Sequence, residues 1–219
     1  MDVAKGDSDF AYFFSLLVTG EAIVKLITLI TASALITDKD RHQYRILHGV
    51  VRASGVGDWS KTIDDLLVGT ASQYLALEYR EFQVEITKKT AEGKKDLKSW
   101  FKLFTELRNK TRGHGALLTD KASRAAPHLE KSIYHILENL SLFGLPIAFL
   151  KRNLSGKYRV TEIGVESDKF DEFKSNNNIT VEDGIYVYLG DFRKIPLMLS
   201  DPDLTDFYIS NGGFSNTKY

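Results

Sequence analysis

The spacing of apolar residues changes near residue 145, and this change constrains the fold more than any other feature of the chain. Before that point, apolar residues recur three and four positions apart over long stretches, which is the spacing of amphipathic helices. After it, the apolar runs are short or alternating, and glycine, asparagine and aspartate residues separate them, which is typical of strands and turns. The sequence therefore predicts a mostly α-helical chain with a small C-terminal antiparallel β subdomain, an α+β protein overall.

Five helical segments are predicted in the first two-thirds of the chain. They run from about Phe10 to about Ile36, from Asp38 to about Gly55 or Gly57, from about Asp58 or Ser60 to the polar run at Thr87, from Asp96 to about Gly113, and from Lys121 to Leu142. Asp7, Ser8 and Asp9 can each cap the first helix, because their side-chain oxygens can accept a hydrogen bond from a backbone N–H of the first turn. Pro127 suggests that the unbroken part of the fifth helix begins near that proline.

Four short strands are predicted after residue 146, at 147–150, 158–163, 185–189 and 195–199. We expect three regions: a helical bundle of four to five helices at 1–145, a β-rich subdomain at 146–209, and a flexible tail or linker at 210–219. The last region is separated because it shows no apolar pattern that could contribute to a core.

The composition excludes several kinds of site. The chain has no cysteine, so disulfides, thiolate metal ligands and cysteine nucleophiles are excluded. Lysine plus arginine and aspartate plus glutamate number 29 each, so no overall field attracts nucleic acid, and an anion site must be local. The spacings H-x-x-x-H and H-E-x-x-H do not occur, and we expect neither a metal site nor a cofactor.

The segment from Phe10 to Ile36 is apolar enough to be considered as a membrane span. Glu21 and Lys25 interrupt it near the middle, where a charge would be costly in lipid. We therefore expect a buried helix of a soluble, cytoplasmic protein, with no membrane partner.

The strongest chemical signal lies where the fourth helix ends, in the sequence LRNKTRGHG from Leu107 to Gly115. Arg108 and Arg112 are four residues apart and share a helix face. The imidazole of His114 would converge with them only if the helix bends or ends at Gly113. Guanidinium groups match phosphate oxygens, and an imidazole transfers protons near neutral pH. Ordinary helix termination is the alternative, because cations near a helix C-terminus complement its dipole.

The pattern Arg108-Asn109-x-x-x-x-His114, at the end of an apolar helix in a cysteine-free helical chain, resembles the HEPN superfamily of prokaryotic defence and toxin ribonucleases. The resemblance covers roughly residues 8–143. It implies a four- or five-helix bundle that pairs as a homodimer, with the two motifs together in a cleft at the interface. It also implies metal-independent RNA cleavage, in which the ribose 2′-hydroxyl attacks the adjacent phosphorus.

The resemblance also implies roles for individual residues. Arg108 would hold the phosphate and stabilise charge in the transition state, His114 would transfer protons, and Asn109 would be the polar neighbour in the catalytic motif. Family members often carry an acidic residue on an early helix near the site. Glu21 matches that position as a supporting residue. An equally good interpretation is that Glu21 is a core carboxylate whose hydrogen bonds are satisfied within the fold and which has no role in catalysis.

Two further residues are candidates for substrate binding, Arg112 because of its spacing from Arg108, and Lys110.

Three functions stay open at this point. The first is an endoribonuclease of a defence or toxin system, with RNA as substrate and with an antitoxin or a C-terminal partner domain as a possible partner. The second is a non-catalytic HEPN-like module of a larger protein, used for sensing, dimerisation or binding of RNA or nucleotides. The third is a structural helical scaffold.

Overall fold

The computed structural model describes residues 8–36, 42–52, 55–88, 96–112 and 119–196. These residues form mostly helices and one small antiparallel sheet, which confirms the predicted fold class at this level. The helices are α1 (Asp9–Ser33), α2 (His42–Arg52), α3 (Val56–Val68), α4 (Arg80–Thr87), α5 (Asp96–Arg112), α6 (Thr119–Asn139) and α7 (Asp171–Ser175). The strands are β1 (Ile147–Arg152), β2 (Tyr158–Ile163), β3 (Gly184–Tyr188) and β4 (Phe192–Lys194). Their order in the sheet is β2-β1-β3-β4, and each neighbouring pair is antiparallel.

The chain divides into two compact units. The first contains the described residues up to Leu26 together with Glu81–Ser141, and the second contains Ile27–Arg80 together with the described residues from Leu142 onward. The border expected near residue 145 lies close to the change of unit at Leu142, whereas the segment from Ile27 to Arg80 groups with the sheet. The tail expected at 210–219 lies outside the described residues.

Helix α1 begins where its sequence offers a capping hydroxyl. Ser8 Oγ accepts a hydrogen bond from the N–H of Ala11 at 3.1 Å, and this satisfies one of the amides that a helix start leaves unpaired. Within the described part of the chain, α1 is the one helix long and apolar enough to cross a membrane. Inside the protein, 56% of its most apolar 18-residue window is buried, as expected for a helix that contributes to a core.

The single helix predicted from Asp58 to about Thr87 is wrong, because two α-helices and two short 3₁₀ turns occupy this stretch. Helix α3 ends at Gly69, whose N–H donates to the carbonyl oxygen of Asp65 at 3.0 Å. A Cβ at Gly69 would lie 2.7 Å from that same oxygen, so a residue with a side chain would force the backbone to shift. The chain then passes through residues 70–79 before α4 begins. With this break, the described residues before the sheet contain six α-helices rather than five.

Helix α6 runs through Pro127 from Thr119, so the expectation that its unbroken part begins near the proline is wrong. Proline has no N–H to donate to the preceding turn, and its ring crowds the carbonyl four residues earlier. Pro127 is exposed on the helix surface, where the backbone can adjust without disturbing a packed core.

Replacing Pro127 by alanine should therefore stabilise the protein. We expect Pro127→Ala to raise the free energy of unfolding by about 1–3 kcal/mol, because alanine restores the missing hydrogen bond and has the best helix propensity. Urea unfolding followed by circular dichroism measures this change. Lys131→Ala, at another exposed position of α6, is the matched control and should change stability by less than about 0.5 kcal/mol. An unchanged or lower stability of Pro127→Ala would contradict this account of α6.

The sheet buries one face against α7 and the segment that follows it. Alternate strand residues point to the same face, and those on this face join two phenylalanines to form a small core. Its buried members are Ala148, Leu150, Tyr158, Phe170, Phe173 and Tyr186. The alternating pattern recognised in the sequence therefore corresponds to real burial on this side of the sheet.

The first three predicted strands are confirmed within two residues at each end, and the fourth lies earlier than predicted. Strand β4 occupies Phe192–Lys194 instead of 195–199, of which 197–199 lie outside the described residues. Gly190 adopts φ +81°, a conformation that glycine reaches without strain. Only three residues separate β3 from β4 in the resulting tight turn. Pairing between these strands therefore begins at Phe192, before the apolar run from which the strand was predicted.

Candidate active site

The side chain of Arg108 lies on the face of α5 that packs inside the first unit. Phe104, one turn earlier on this face, is 3% exposed, and Thr111, one turn later, is 6% exposed. Thr111 Oγ1 donates to the carbonyl oxygens of Leu107 and Arg108, both at 3.0 Å, so its hydroxyl is satisfied within the helix. A cation placed between two buried residues needs a partner, because desolvation disfavours an unpaired charge.

Glu21 of α1 is that partner. Arg108 Nε donates to Glu21 Oε1 at 2.7 Å, and the two side chains are 22% and 15% exposed. Because solvent and salt screen a partly buried pair less than an exposed one, the two charges interact more strongly than a surface pair does, and removing either partner would leave the other charge partly buried. Glu21, which the sequence analysis predicts as a supporting residue of the motif, thus lies beside Arg108.

Gly20 lets α1 and α5 approach closely enough for this pair to form. A Cβ at Gly20 would lie 2.5 Å from Cζ of Phe104, inside van der Waals contact. The Phe104 ring is held in turn by stacking on Trp100, with centroids 5.0 Å apart and planes at 8°. Gly20 directly precedes Glu21, and Phe104 lies one turn before Arg108, so this contact fixes the register of the ion pair.

The terminal nitrogens of Arg108 keep their donor capacity. Among the residues that the structure describes, Glu21 is the one acceptor bound to this guanidinium, and it uses Nε. The two Nη groups are therefore available to donate to a ligand. A guanidinium held in this way can present a fork of N–H donors that matches two oxygens of a phosphate.

The other residues predicted for the site fall into two groups. Asn109 and Lys110 are exposed on the solvent side of α5, next to Arg108 along the chain. Arg112 is the last residue of α5, and its side chain lies outside the described part of the structure, as does His114. The structure thus brings Arg108 and Glu21 together, and convergence of His114 on Arg108 stays a prediction.

Helix α5 also borders an apolar groove of about 330 Å³ between itself and α6. Its lining comes from residues one turn apart on each helix: Trp100, Leu103, Phe104, Leu107, Ala125, His128, Leu129 and Ser132. Trp100 Nε1 donates to Ser132 Oγ at 3.2 Å, which satisfies the indole. The groove suits apolar groups and has no lysine or arginine in its lining, so it offers no cation to an anionic ligand. Among the described residues, no three His, Cys, Asp or Glu side chains are grouped to hold a metal ion.

Sequence reasoning missed the part played by Gly20. A glycine inside a long apolar helix lowers the stability of the helix. Its presence at position 20 was therefore the one sign in the sequence that a close packing contact needs a residue without a side chain there. Apolar spacing within α5 predicts that Phe104 is buried, but it does not show which helix its ring contacts.

Removing the charge of Glu21 should destabilise the protein and reveal its coupling to Arg108. We expect Glu21→Gln to lower the free energy of unfolding by about 1–2 kcal/mol, because the guanidinium loses its counter-charge in a partly buried position. A double-mutant cycle with Arg108→Gln should give a coupling energy of about 1 kcal/mol or more. The exposed pair of Lys194 and Glu182, 2.7 Å apart, is the control and should show a smaller coupling. A cycle without coupling between Glu21 and Arg108 would contradict the structure of the site.

No protein-family model, curated protein or solved structure matches the chain.

Proposed function

We propose that this chain is a metal-independent endoribonuclease domain of the HEPN type that acts in the cytoplasm as part of a prokaryotic defence or toxin system. In this proposal the helices of the first unit form the HEPN-like bundle. Arg108 holds the scissile phosphate, and His114 transfers protons. Asn109 completes the motif, and Lys110 and Arg112 contact the RNA beyond the cleaved bond.

The Glu21–Arg108 pair is the observation that supports this proposal most. The carboxylate accepts from Nε and so restrains the plane of the guanidinium, while the Nη groups can donate to phosphate oxygens. When the ribose 2′-hydroxyl attacks phosphorus, negative charge accumulates on those oxygens. Donors that are already oriented stabilise this charge without a cost of reorganisation at the moment of reaction.

The chemistry also favours a homodimer. One group must take the proton of the 2′-hydroxyl and another must protonate the leaving 5′ oxygen, whereas each chain carries one Arg108–His114 motif. A two-fold axis beside the motif would supply a second arginine and a second histidine from the same sequence. The balanced net charge of the chain fits a confined site of this kind better than a long electrostatic track.

The proposal is tested by incubating the purified protein with single-stranded RNA in EDTA. We expect cleavage that yields 2′,3′-cyclic phosphate and 5′-hydroxyl ends, because the 2′ oxygen displaces the 5′ oxygen. His128→Ala, which replaces an exposed histidine of α6, is the control and should cleave normally. Inhibition by EDTA would contradict the proposal. RNA that is bound in a salt-sensitive manner and recovered intact would favour the alternative, a non-catalytic RNA-binding or dimerisation module.

A further inference from the structure

The end of the β1–β2 hairpin, residues 151–159, concentrates positive charge in a chain whose net charge is zero. These nine residues include four cations and no acidic residue. The four cations are Lys151, Arg152, Lys157 and Arg159, and all four are exposed. We call this surface the basic hairpin.

The cations of the basic hairpin differ from others of the same unit in lacking carboxylate partners. Elsewhere in the unit, Lys174 contacts Glu162 and Asp171, Arg193 contacts Asp191, and Lys194 contacts Glu182, at 2.7 to 3.3 Å. Within the described residues, the four hairpin cations form no such ion pair. Arg152 Nε instead donates to the carbonyl oxygen of Gly156 at 3.4 Å. The carboxylate of Asp183 contacts the hairpin through the backbone, where it accepts from the N–H of Arg152 at 2.9 Å. The four cationic side chains themselves have no carboxylate partner among the described residues.

Two of these cations face each other across neighbouring strands, and their repulsion destabilises the sheet. Lys151 lies directly opposite Arg159 in the β1–β2 register, so their side chains share one face of the sheet. Like charges in directly opposite positions destabilise a strand pair. An external polyanion would relieve this repulsion.

The cations are also carried on an ordered turn. The side-chain oxygen of Asn153 accepts hydrogen bonds from Ser155 N–H at 3.0 Å, Ser155 Oγ at 2.7 Å and Lys157 N–H at 3.1 Å. Gly156, at φ +84°, completes the turn. Because the turn is already formed, little conformational entropy is lost when a ligand binds.

We propose that the basic hairpin binds the phosphate backbone of a nucleic acid. The cations are spread along the hairpin, and Lys151 and Arg159 lie about 10 Å from its tip at Leu154, at the usual rise of a strand. A flat anionic membrane that met the tip would leave those two cations about one Debye length away. Arg152 lies opposite Tyr158 in the register, so its side chain is on the other face of the sheet. An elongated backbone lying along the hairpin can contact Lys151 and Arg159 together, which are the two cations farthest from the tip. Tyr158 is 3% exposed and offers no platform for base stacking, so the contacts go to phosphates, which carry no sequence information.

This surface belongs to the second unit and involves none of the residues proposed for cleavage. Nucleic-acid binding by the basic hairpin is therefore independent of RNA cleavage. A single-stranded oligothymidylate is a suitable probe, because without 2′-hydroxyls it cannot be cleaved by the proposed mechanism.

The test compares the full chain with its Arg159→Glu variant for binding of the fluorescent oligothymidylate over a range of salt concentrations. We expect the variant to bind about tenfold more weakly at low salt, and its log–log salt slope to fall by about 0.7 for each lost phosphate contact. Its melting temperature without ligand should be unchanged or higher, since the new carboxylate faces Lys151. This result separates loss of binding from loss of folding.

Leu154→Ser is the matched control at the tip and should bind the oligonucleotide as the unchanged chain does. Equal affinity and equal salt slope in Arg159→Glu would overturn the proposal. The proposal would also be overturned if the chain bound phosphatidylserine vesicles through Leu154 and failed to bind the oligonucleotide.

Discussion

Arg108→Lys and His114→Ala are each expected to lower the rate of RNA cleavage by at least about a hundredfold, because one loses an oriented charge donor and the other a proton-transfer group. Lysine keeps a positive charge beside Glu21, so the ion pair with α1 can persist. It lacks the planar fork that binds two phosphate oxygens. The loss of activity in Arg108→Lys would thus report on phosphate recognition rather than on folding.

The measurement is single-turnover cleavage of a labelled RNA, accompanied by thermal unfolding of each variant. Lys102→Ala, at an exposed position of α5, should retain the full rate. Both site variants should unfold within a few degrees of the unchanged chain. Cleavage at an undiminished rate in His114→Ala would reject the assigned proton-transfer role.

The second large effect concerns two glycines that both lie inside helices. Gly20→Ala should lower the free energy of unfolding by about 1–3 kcal/mol, because the added methyl group would overlap the buried ring of Phe104. Gly49→Ala in α2 should raise it by about 0.5–1 kcal/mol. The space around Gly49 is open to 4 Å, so the better helix propensity of alanine acts alone there.

A second-site change tests the cause of the Gly20 effect. Phe104→Leu removes part of the ring that Gly20→Ala would meet, so the double variant should lose less stability than the sum of the two single variants. Chemical unfolding of the four proteins gives this comparison. Additive losses, or a stabilising Gly20→Ala, would mean that the glycine does not set the distance between α1 and α5.

Much of the helical pattern was predictable because it is local. The start of α1 was predictable from the capping residues Asp7, Ser8 and Asp9 before its apolar run, and the structure shows that Ser8 caps the amide of Ala11. The break at Gly69 was missed because apolar residues continue at helical spacing on both sides of it, through Leu67 and Leu75. The helix ends because the backbone of Gly69 is extended, in a position where a side chain would overlap the carbonyl of Asp65. Spacing alone does not show this.

The candidate site was predictable only in part, because its central contact joins distant parts of the chain. The cationic run after Leu107 is visible in the sequence, and helical spacing shows which of its members share a face. The position of Glu21 beside Arg108 depends on how α1 packs against α5, which Gly20 and Phe104 determine. The charges of the basic hairpin were equally visible, whereas their lack of carboxylate partners required the structure.

Two RNA substrates that differ in one 2′-hydroxyl test the central claim most directly. In EDTA, the chain should cleave the all-ribose substrate and leave intact the substrate with a single deoxyribose on the 5′ side of the same phosphate. This result would follow from attack by the neighbouring 2′ oxygen at a site built from Arg108 and His114. Equal cleavage of both substrates at that phosphate would contradict the account.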